Sequence, residues 1–98
     1  MSTQTITEFL EARIAEDEKM ARFYGPFAMG TARVLAECAA KRAIIVQAQK
    51  ATELERDWDE QEWQGTVEHS EPYAGDAILY ALAAVYADHP EYRQEWWS

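Results

Sequence analysis

The chain has 98 residues, the size of one domain, and 48% of them are hydrophobic, which is enough for a packed core. Its formal net charge is −9: residues 1–50 hold seven basic and six acidic residues, whereas residues 51–98 hold two basic and twelve acidic ones. This excess of carboxylates argues against DNA, RNA and anionic membranes as direct ligands, because binding to phosphate needs a Lys/Arg surface. The single cysteine, Cys38, excludes an internal disulfide framework, and no apolar run is long enough for a signal peptide or a membrane span, so we expect a cytoplasmic protein.

The first predicted helix begins at a capping box. Thr5 and Glu8 have the spacing at which each side chain bonds the backbone amide of the other residue. Apolar residues then recur at helical spacing up to Gly25, where glycine followed by proline predicts the end of the helix. Arg13 and Asp17 lie at the margin of the apolar stripe, where we expect a weak (i, i+4) ion pair.

The second predicted helix begins with Thr31 as its cap and meets no helix breaker before Gly65. A straight helix of that length would span about 50 Å, more than the diameter of a small domain. Either it breaks near residues 50–57, or its far half projects and packs against a second subunit. Leu54 and Trp58 give that half a narrow apolar seam, so we favour continuation into the fifties and a homodimer. The predicted buried face carries Val34, Leu35, Cys38, Ile45 and Val46.

The remaining chain predicts a loop over residues 65–75 and a strongly apolar third helix, capped by Asp76 or Ser70. The residues that make this segment strongly apolar are Ile78, Leu79, Leu82, Val85 and Tyr86.

The C-terminal segment predicts a new helix. Asp88 and Glu91 repeat the spacing of a capping box, and Pro90 between them suits a first helical turn. His89 is then expected to be a turn or capping residue. Tyr92 and Trp96 are expected to dock this tail. Arg93 is expected to meet a carboxylate of the first helix, such as that of Asp17 or Glu18.

Together these elements predict an all-α fold, since no segment alternates with the period of a strand. We expect an antiparallel helical hairpin (about 5–24 and 31–57 or longer), a third helix (about 76–88) and a short C-terminal helix (about 89–97). They form one domain over residues 1–98, in which residues 53–75 are an acidic, partly looped segment.

Known catalytic and metal-binding patterns are mostly missing from the sequence. There is no Glu-x-x-His pair of the kind that di-metal bundles use, and His69 and His89 are twenty residues apart. Glu8 and Glu11 match half of the Mg²⁺ motif of helical pyrophosphohydrolases, but the second helix offers no matching Glu-x-x-Asp. We therefore predict no catalytic residue, no metal ligand and no cofactor, and an Mg²⁺-dependent nucleotide hydrolase is the least favoured alternative.

The most acidic stretch, Glu53–Glu71, contains eight acidic residues and one arginine. It has two interpretations: a solvated face around a projecting helix, or a mimic of nucleic-acid charge that inhibits a DNA- or RNA-binding protein. In either case it is the segment expected to face a partner. The candidate partner-facing residues are Glu53, Asp57, Trp58, Asp59, Glu60, Glu62 and Trp63.

Three segments, Glu8–Glu18, Arg33–Ile44 and Tyr86–Trp96, together resemble a family of short, uncharacterised actinobacterial and actinophage proteins. The resemblance covers about a third of the chain, through the patterns FLxARIxEDE, RVLxExxAKRxI and YADHPxYRxEW. It implies an origin in an actinobacterium or its phage, with the host cytoplasm as the location. It supplies no activity and no functional residue. The leading hypothesis is a small helical protein–protein interaction or accessory factor with a host or phage protein as partner. The candidate structural motif is Asp88, His89, Pro90, Tyr92, Arg93 and Trp96.

Overall fold

Residues 4–63 and 73–96 are described by a computed structural model, with side chains up to Trp58 in the first range. The predicted all-α fold, a helical hairpin with a third helix, is confirmed, and neither described range contains a strand. The elements are α1 (Ile6–Tyr24), α2 (Thr31–Trp63), α3 (Ala74–Ala83) and two 3-10 turns (Ala84–Tyr86 and Gln94–Trp96).

Helix α1 begins and ends as its sequence predicts. The Thr5 hydroxyl accepts a hydrogen bond from the Glu8 amide at 3.1 Å, and the Glu8 carboxylate accepts one from the Thr5 amide at 2.9 Å. These bonds, led by the one from the Thr5 backbone, hold the pKa of Glu8 below its ordinary value. The helix stops at Gly25, whose φ of 86° lies in the region that favours glycine.

Helix α2 runs for 33 residues without a break, which confirms the predicted continuation into the fifties. The molecule is accordingly 56 Å long and only 27 and 23 Å across. Thr31 is its first residue rather than its cap, because the Thr31 hydroxyl donates to the carbonyl of Gly25 at 2.9 Å. The buried face carries Cys38 and Ile45 as predicted. Val46 is half exposed, and its predicted burial is wrong because each residue turns about 100° around the helix from the one before.

Helix α3 begins at Ala74, two residues before the predicted start, because its cap comes from another helix. Both carboxylate oxygens of Glu55 on α2 accept from the Ala74 amide, at 3.1 and 3.2 Å. Asp76 lies in the first turn and does not cap, and Ser70, with the predicted loop at 65–72, lies outside the described residues. The helix also ends earlier than predicted, at Ala83. It buries Gly75, Leu79 and Ala83, whereas Ile78 is 43% exposed and Val85, in the 3-10 turn that follows, is 66% exposed.

Glycine at position 75 allows α3 to pack closely on α2. A Cβ atom on Gly75 would lie 1.9 Å from the backbone oxygen of Ala48 and 2.1 Å from the hydroxyl oxygen of Thr52. Neither distance is possible for a real side chain, so the two backbones meet here only because residue 75 has none.

The predicted C-terminal helix is wrong in its first part. Residues 87–91 form turns, and only Gln94–Trp96 is helical, as a 3-10 turn; Trp97 lies outside the described residues. Asp88 is exposed and no helix starts at Pro90. His89 occupies the turn instead, where its ring Nδ1 accepts from the Glu91 amide at 3.0 Å.

The tail nevertheless docks on α1 through aromatic rings. Phe9, fully buried, has its ring centroid 5.0 Å from that of Trp96 and 6.2 Å from that of Tyr92. The contact expected for Arg93 is not formed, because this guanidinium pairs with Glu95 at 2.7 Å and lies over the Trp96 ring. The core joins all three helices and the tail: Phe9, Leu10, Ile14, Cys38, Ile45, Ala48, Leu79, Ala83 and Trp96.

Candidate functional site at the hairpin tip

The tip of the helical hairpin is the part of the described fold that lacks a third layer. Helix α3 runs back along α2, and the chain turns away where Tyr86 reaches Asp17 and Lys41. Beyond that point α1 and α2 enclose an open groove of about 610 Å³. Its lining comes from α1, α2 and the turn between them, with Ala21, Val34 and Cys38 among the lining residues.

Large apolar side chains are exposed at this end of the hairpin, and Met20, Tyr24 and Met29 among them line the groove. Phe27 and Met29 are fully exposed, and Phe23 is 80% exposed. Single exposed apolar residues are ordinary, but a cluster within ten residues of sequence marks a binding surface. Methionine and aromatic side chains are also the types that adapt to and anchor protein partners. We call this cluster the tip patch: Met20, Phe23, Tyr24, Phe27 and Met29.

The turn that carries the tip patch is held by its own hydrogen bonds. The amide of Ala28 donates to the carbonyl of Gly25 at 3.2 Å, and the amide of Thr31 donates to that of Ala28 at 3.2 Å. Gly25 and Gly30 both have positive φ, of 86° and 87°, which closes the connection within a few residues. The patch is thus presented on an ordered turn, which lowers the entropy lost on binding.

The local charge of the tip is opposite to that of the whole chain. Residues 17–42 hold five basic side chains and three acidic ones, a net of +2, although the chain as a whole carries −9. Two of the basic side chains, Lys41 and Arg42, pair with Asp17 and Glu18 of α1. The other basic residues are Lys19, Arg22 and Arg33, and the third acidic residue is Glu37.

Cys38 lies in the groove as a structural residue. It is almost completely buried, and its thiol donates to the carbonyl of Ile14 at 3.8 Å. Burial first, and then the carboxylates of Asp17 and Glu18, raise the pKa of this thiol. A thiol with a raised pKa is a poor nucleophile, so Cys38 acts as the small hydrophobic residue that its position predicts.

A polar network closes the lower end of the groove. The Tyr86 hydroxyl donates to the Asp17 carboxylate at 2.8 Å and accepts from the Lys41 ammonium at 3.0 Å. Burial raises the pKa of Tyr86, with the hydrogen bond to Asp17 adding to it. Each charged group has a partner, so the network serves to attach the end of α3 to the hairpin.

A second polar cluster, around Arg13, fastens the tail and was missed by the sequence reasoning. Arg13 is 94% buried, and its guanidinium contacts the ring of His89, with 2.8 Å to Nδ1, and donates to Glu91 at 2.9 Å. Glu16 lies 3.0 Å away on the same helix. The expected pair between Arg13 and Asp17 is therefore not formed. The sequence signal for this cluster is Arg13 itself, a basic residue on the margin of an apolar stripe.

The structure describes the side chains of only the first part of the predicted partner-facing segment. Glu53, Asp57 and Trp58 are exposed on α2, and Trp58 shows 62% of its surface. The side chains of Asp59, Glu60, Glu62 and Trp63 lie outside the description, so their role stays a prediction. Within the same stretch Glu55 caps α3, and Arg56 lies 5.6 Å from the centre of the Tyr73 ring.

These features define a small all-α protein, a long helical hairpin with a docked third helix and an apolar tip. The chain belongs to a family of unknown function (DUF6221), whose model matches residues 25–98. The match includes α2, α3, the tail and the second half of the tip patch. No curated protein and no solved structure matches the chain.

Within residues 4–63 and 73–96, none of the helices has the length and apolarity to cross a membrane. No group of three or more metal-binding side chains occurs among those same residues.

Proposed function

We propose that this protein is a small helical interaction protein that binds a protein partner at the hairpin tip. The observation that carries the proposal is the tip patch: five large apolar side chains exposed beside a groove, three at the end of α1 and two on the ordered turn that follows it. Such a surface is costly to leave in water, and it is typical of a protein interface.

The charge of the tip indicates the chemistry of the partner. With a net of +2 over residues 17–42, the tip favours an acidic surface over a basic one. The partner we propose carries an apolar segment flanked by Asp or Glu, whose apolar side chains enter the groove over Val34 and Cys38.

The acidic second half supports the alternative of nucleic-acid mimicry less well. Mimicry needs carboxylates that are free to occupy a basic cleft, whereas Glu55, near the start of the stretch, is held by α3. This alternative predicts binding that moderate salt releases and that charge reversal at Asp57 weakens.

The resemblance to actinobacterial and actinophage proteins supports an actinobacterial cytoplasm as the place to look for the partner. No arrangement of described side chains supports a catalytic role, and we propose a binding rather than an enzymatic function.

Site-specific photo-crosslinking tests the proposal. A benzophenone amino acid at position 27 should capture a protein from actinobacterial lysate, and the crosslinked peptide should be apolar with acidic flanks. The same probe at position 85 is the matched control, because Val85 is also an exposed apolar residue, 66% exposed, but lies away from the tip.

Capture by unmodified protein gives the second arm. The double variant F27S/M29S should lose the partner, and V85S should retain it. Equal retention by both variants, or equal crosslinking at positions 27 and 85, would contradict the proposal.

A further inference from the structure

The outer face of α2 carries large apolar residues that no described part of the chain covers. Leu54 is 70% exposed and Trp58 is 62% exposed. Leu54 lies nine residues after the buried Ile45, which at about 100° per residue places it on the opposite side of the helix. The face that packs on α1 and α3 therefore points away from these two side chains.

These two residues end a stripe that is symmetric about its centre. Its members are spaced by 4, 3, 4, 4, 3 and 4 residues, and all are exposed except the half-buried Ala51. Each end of the stripe lies eleven residues from its centre. Because eleven residues make about three full turns, the stripe stays on one side of a nearly straight helix. We call it the α2 stripe: Ala36, Ala40, Ala43, Gln47, Ala51, Leu54 and Trp58.

The α2 stripe is complementary to itself when a second copy lies antiparallel to it. With Gln47 facing Gln47, Leu54 of one copy faces Ala40 of the other, and Trp58 faces Ala36. Each large side chain thus meets a small one, which is the condition for two helices to pack closely. In a parallel pair Trp58 would meet Trp58, and alanine would meet alanine.

The charges along α2 favour the same orientation. Residues 53–63 carry a net of −5, from six acidic residues and one basic residue, and residues 31–42 carry a net of +2, of which Lys41 and Arg42 already pair with Asp17 and Glu18 of α1. An antiparallel pair places the acidic half of each helix beside the first half of the other, which carries no excess of acidic residues. A parallel pair places the two acidic halves together, which is repulsive.

We propose that two copies of this chain associate through the α2 stripe as an antiparallel, two-fold symmetric dimer with its axis at Gln47. The contact is isologous, so it closes at two copies. It leaves the tip patch of each copy at opposite ends of the pair and is independent of what the tip binds.

Disulfide formation between single-cysteine variants tests the orientation. In a C38A background, Q47C should form disulfide-linked dimers, because residue 47 lies on the axis. A40C alone should not, since the two copies of residue 40 lie about 21 Å apart along the helix, well beyond the reach of a disulfide. A mixture of A40C and L54C should give the mixed dimer.

The oligomeric state of the unmodified chain is the second measurement. Light scattering should give twice the chain mass of 11.3 kDa. L54E should raise the dissociation constant of the dimer at least about tenfold, whereas V85E, at a similarly exposed position, should leave it unchanged.

Three results would overturn the proposal. A monomeric unmodified chain excludes the dimer. Failure of Q47C to crosslink excludes the axis, and self-crosslinking of A40C indicates a parallel pair. The disulfide test does not use L54E, so it can still refute the proposal if L54E fails to fold.

Discussion

Replacing Gly75 with alanine should separate α3 from α2. The new Cβ would lie 1.9 Å from the Ala48 oxygen, whereas an ordinary carbon–oxygen contact needs about 3.3 Å, so the helices must part by about 1.4 Å. A gap of that size costs the packing of Leu79 and Ala83, both buried against α2. Overpacking of this kind costs about 1–3 kcal/mol or more, and the better helix propensity of alanine returns at most about 1 kcal/mol.

We therefore expect G75A to unfold about 2 kcal/mol more easily, which lowers the melting temperature by roughly 10 °C for a domain of this size. Thermal unfolding followed by circular dichroism measures it. The double variant T52A/G75A should not recover, because the backbone oxygen of Ala48 remains. G30A shows the effect of a glycine substitution that meets no other atom: nothing lies within 4 Å of its Cβ, so its loss is limited to the cost of a positive φ, about 1–2 kcal/mol. A G75A protein as stable as the parent would refute the close approach of α2 and α3.

Three further predictions concern polar groups. R13A should lower the free energy of unfolding by about 2 kcal/mol, because the variant loses a buried guanidinium and its packing. R33A removes an exposed ion pair and should change the free energy of unfolding by no more than about 0.5 kcal/mol, so similar losses in the two variants would refute the anchoring role of Arg13. Y92F should raise the free energy of unfolding by about 1 kcal/mol, because the Tyr92 hydroxyl is buried with no hydrogen-bond partner among the described residues, and Y86F should lower it by about 2 kcal/mol, because the Tyr86 hydroxyl bonds two charged groups. Urea unfolding should show these opposite signs, and a loss in both variants would contradict the assignment. The hydrogen bond from Arg42 lowers the pKa of Glu18 from 4.5, so the contribution of this bond to folding stability is present above pH 4.5 and is lost as the pH falls below that value. E18Q should flatten this part of the pH dependence of the melting temperature, and an unchanged profile would argue against the contribution of Glu18.

Local features of this fold could be predicted from the sequence. The capping box at Thr5, the stop at Gly25 and the unbroken α2 each depend on residues within a turn or two of one another. The burial of Cys38 and Ile45 follows from helical period. In each case the residue and its determinant lie on the same element.

Features that depend on distant residues could not be predicted. Gly75 was assigned to a loop, because nothing in its neighbours shows that Ala48 lies against it. Glu55 belongs to an acidic run, and its role as the cap of α3 depends on a partner nineteen residues away. The sequence shows Phe27 and Met29 as large apolar residues between two glycines, but only the fold shows that both side chains are fully exposed.

The cap that Glu55 provides has a practical consequence for engineering this protein. Helix α3 is placed by two contacts with α2, the carboxylate on the Ala74 amide and the close approach at Gly75. The length of chain that joins Trp63 to Tyr73 therefore does not determine where the two helices meet. Doubling that length costs only about 0.6 kcal/mol in closure entropy. It is the place where a tag or reporter can be inserted while both the tip patch and the α2 stripe stay intact.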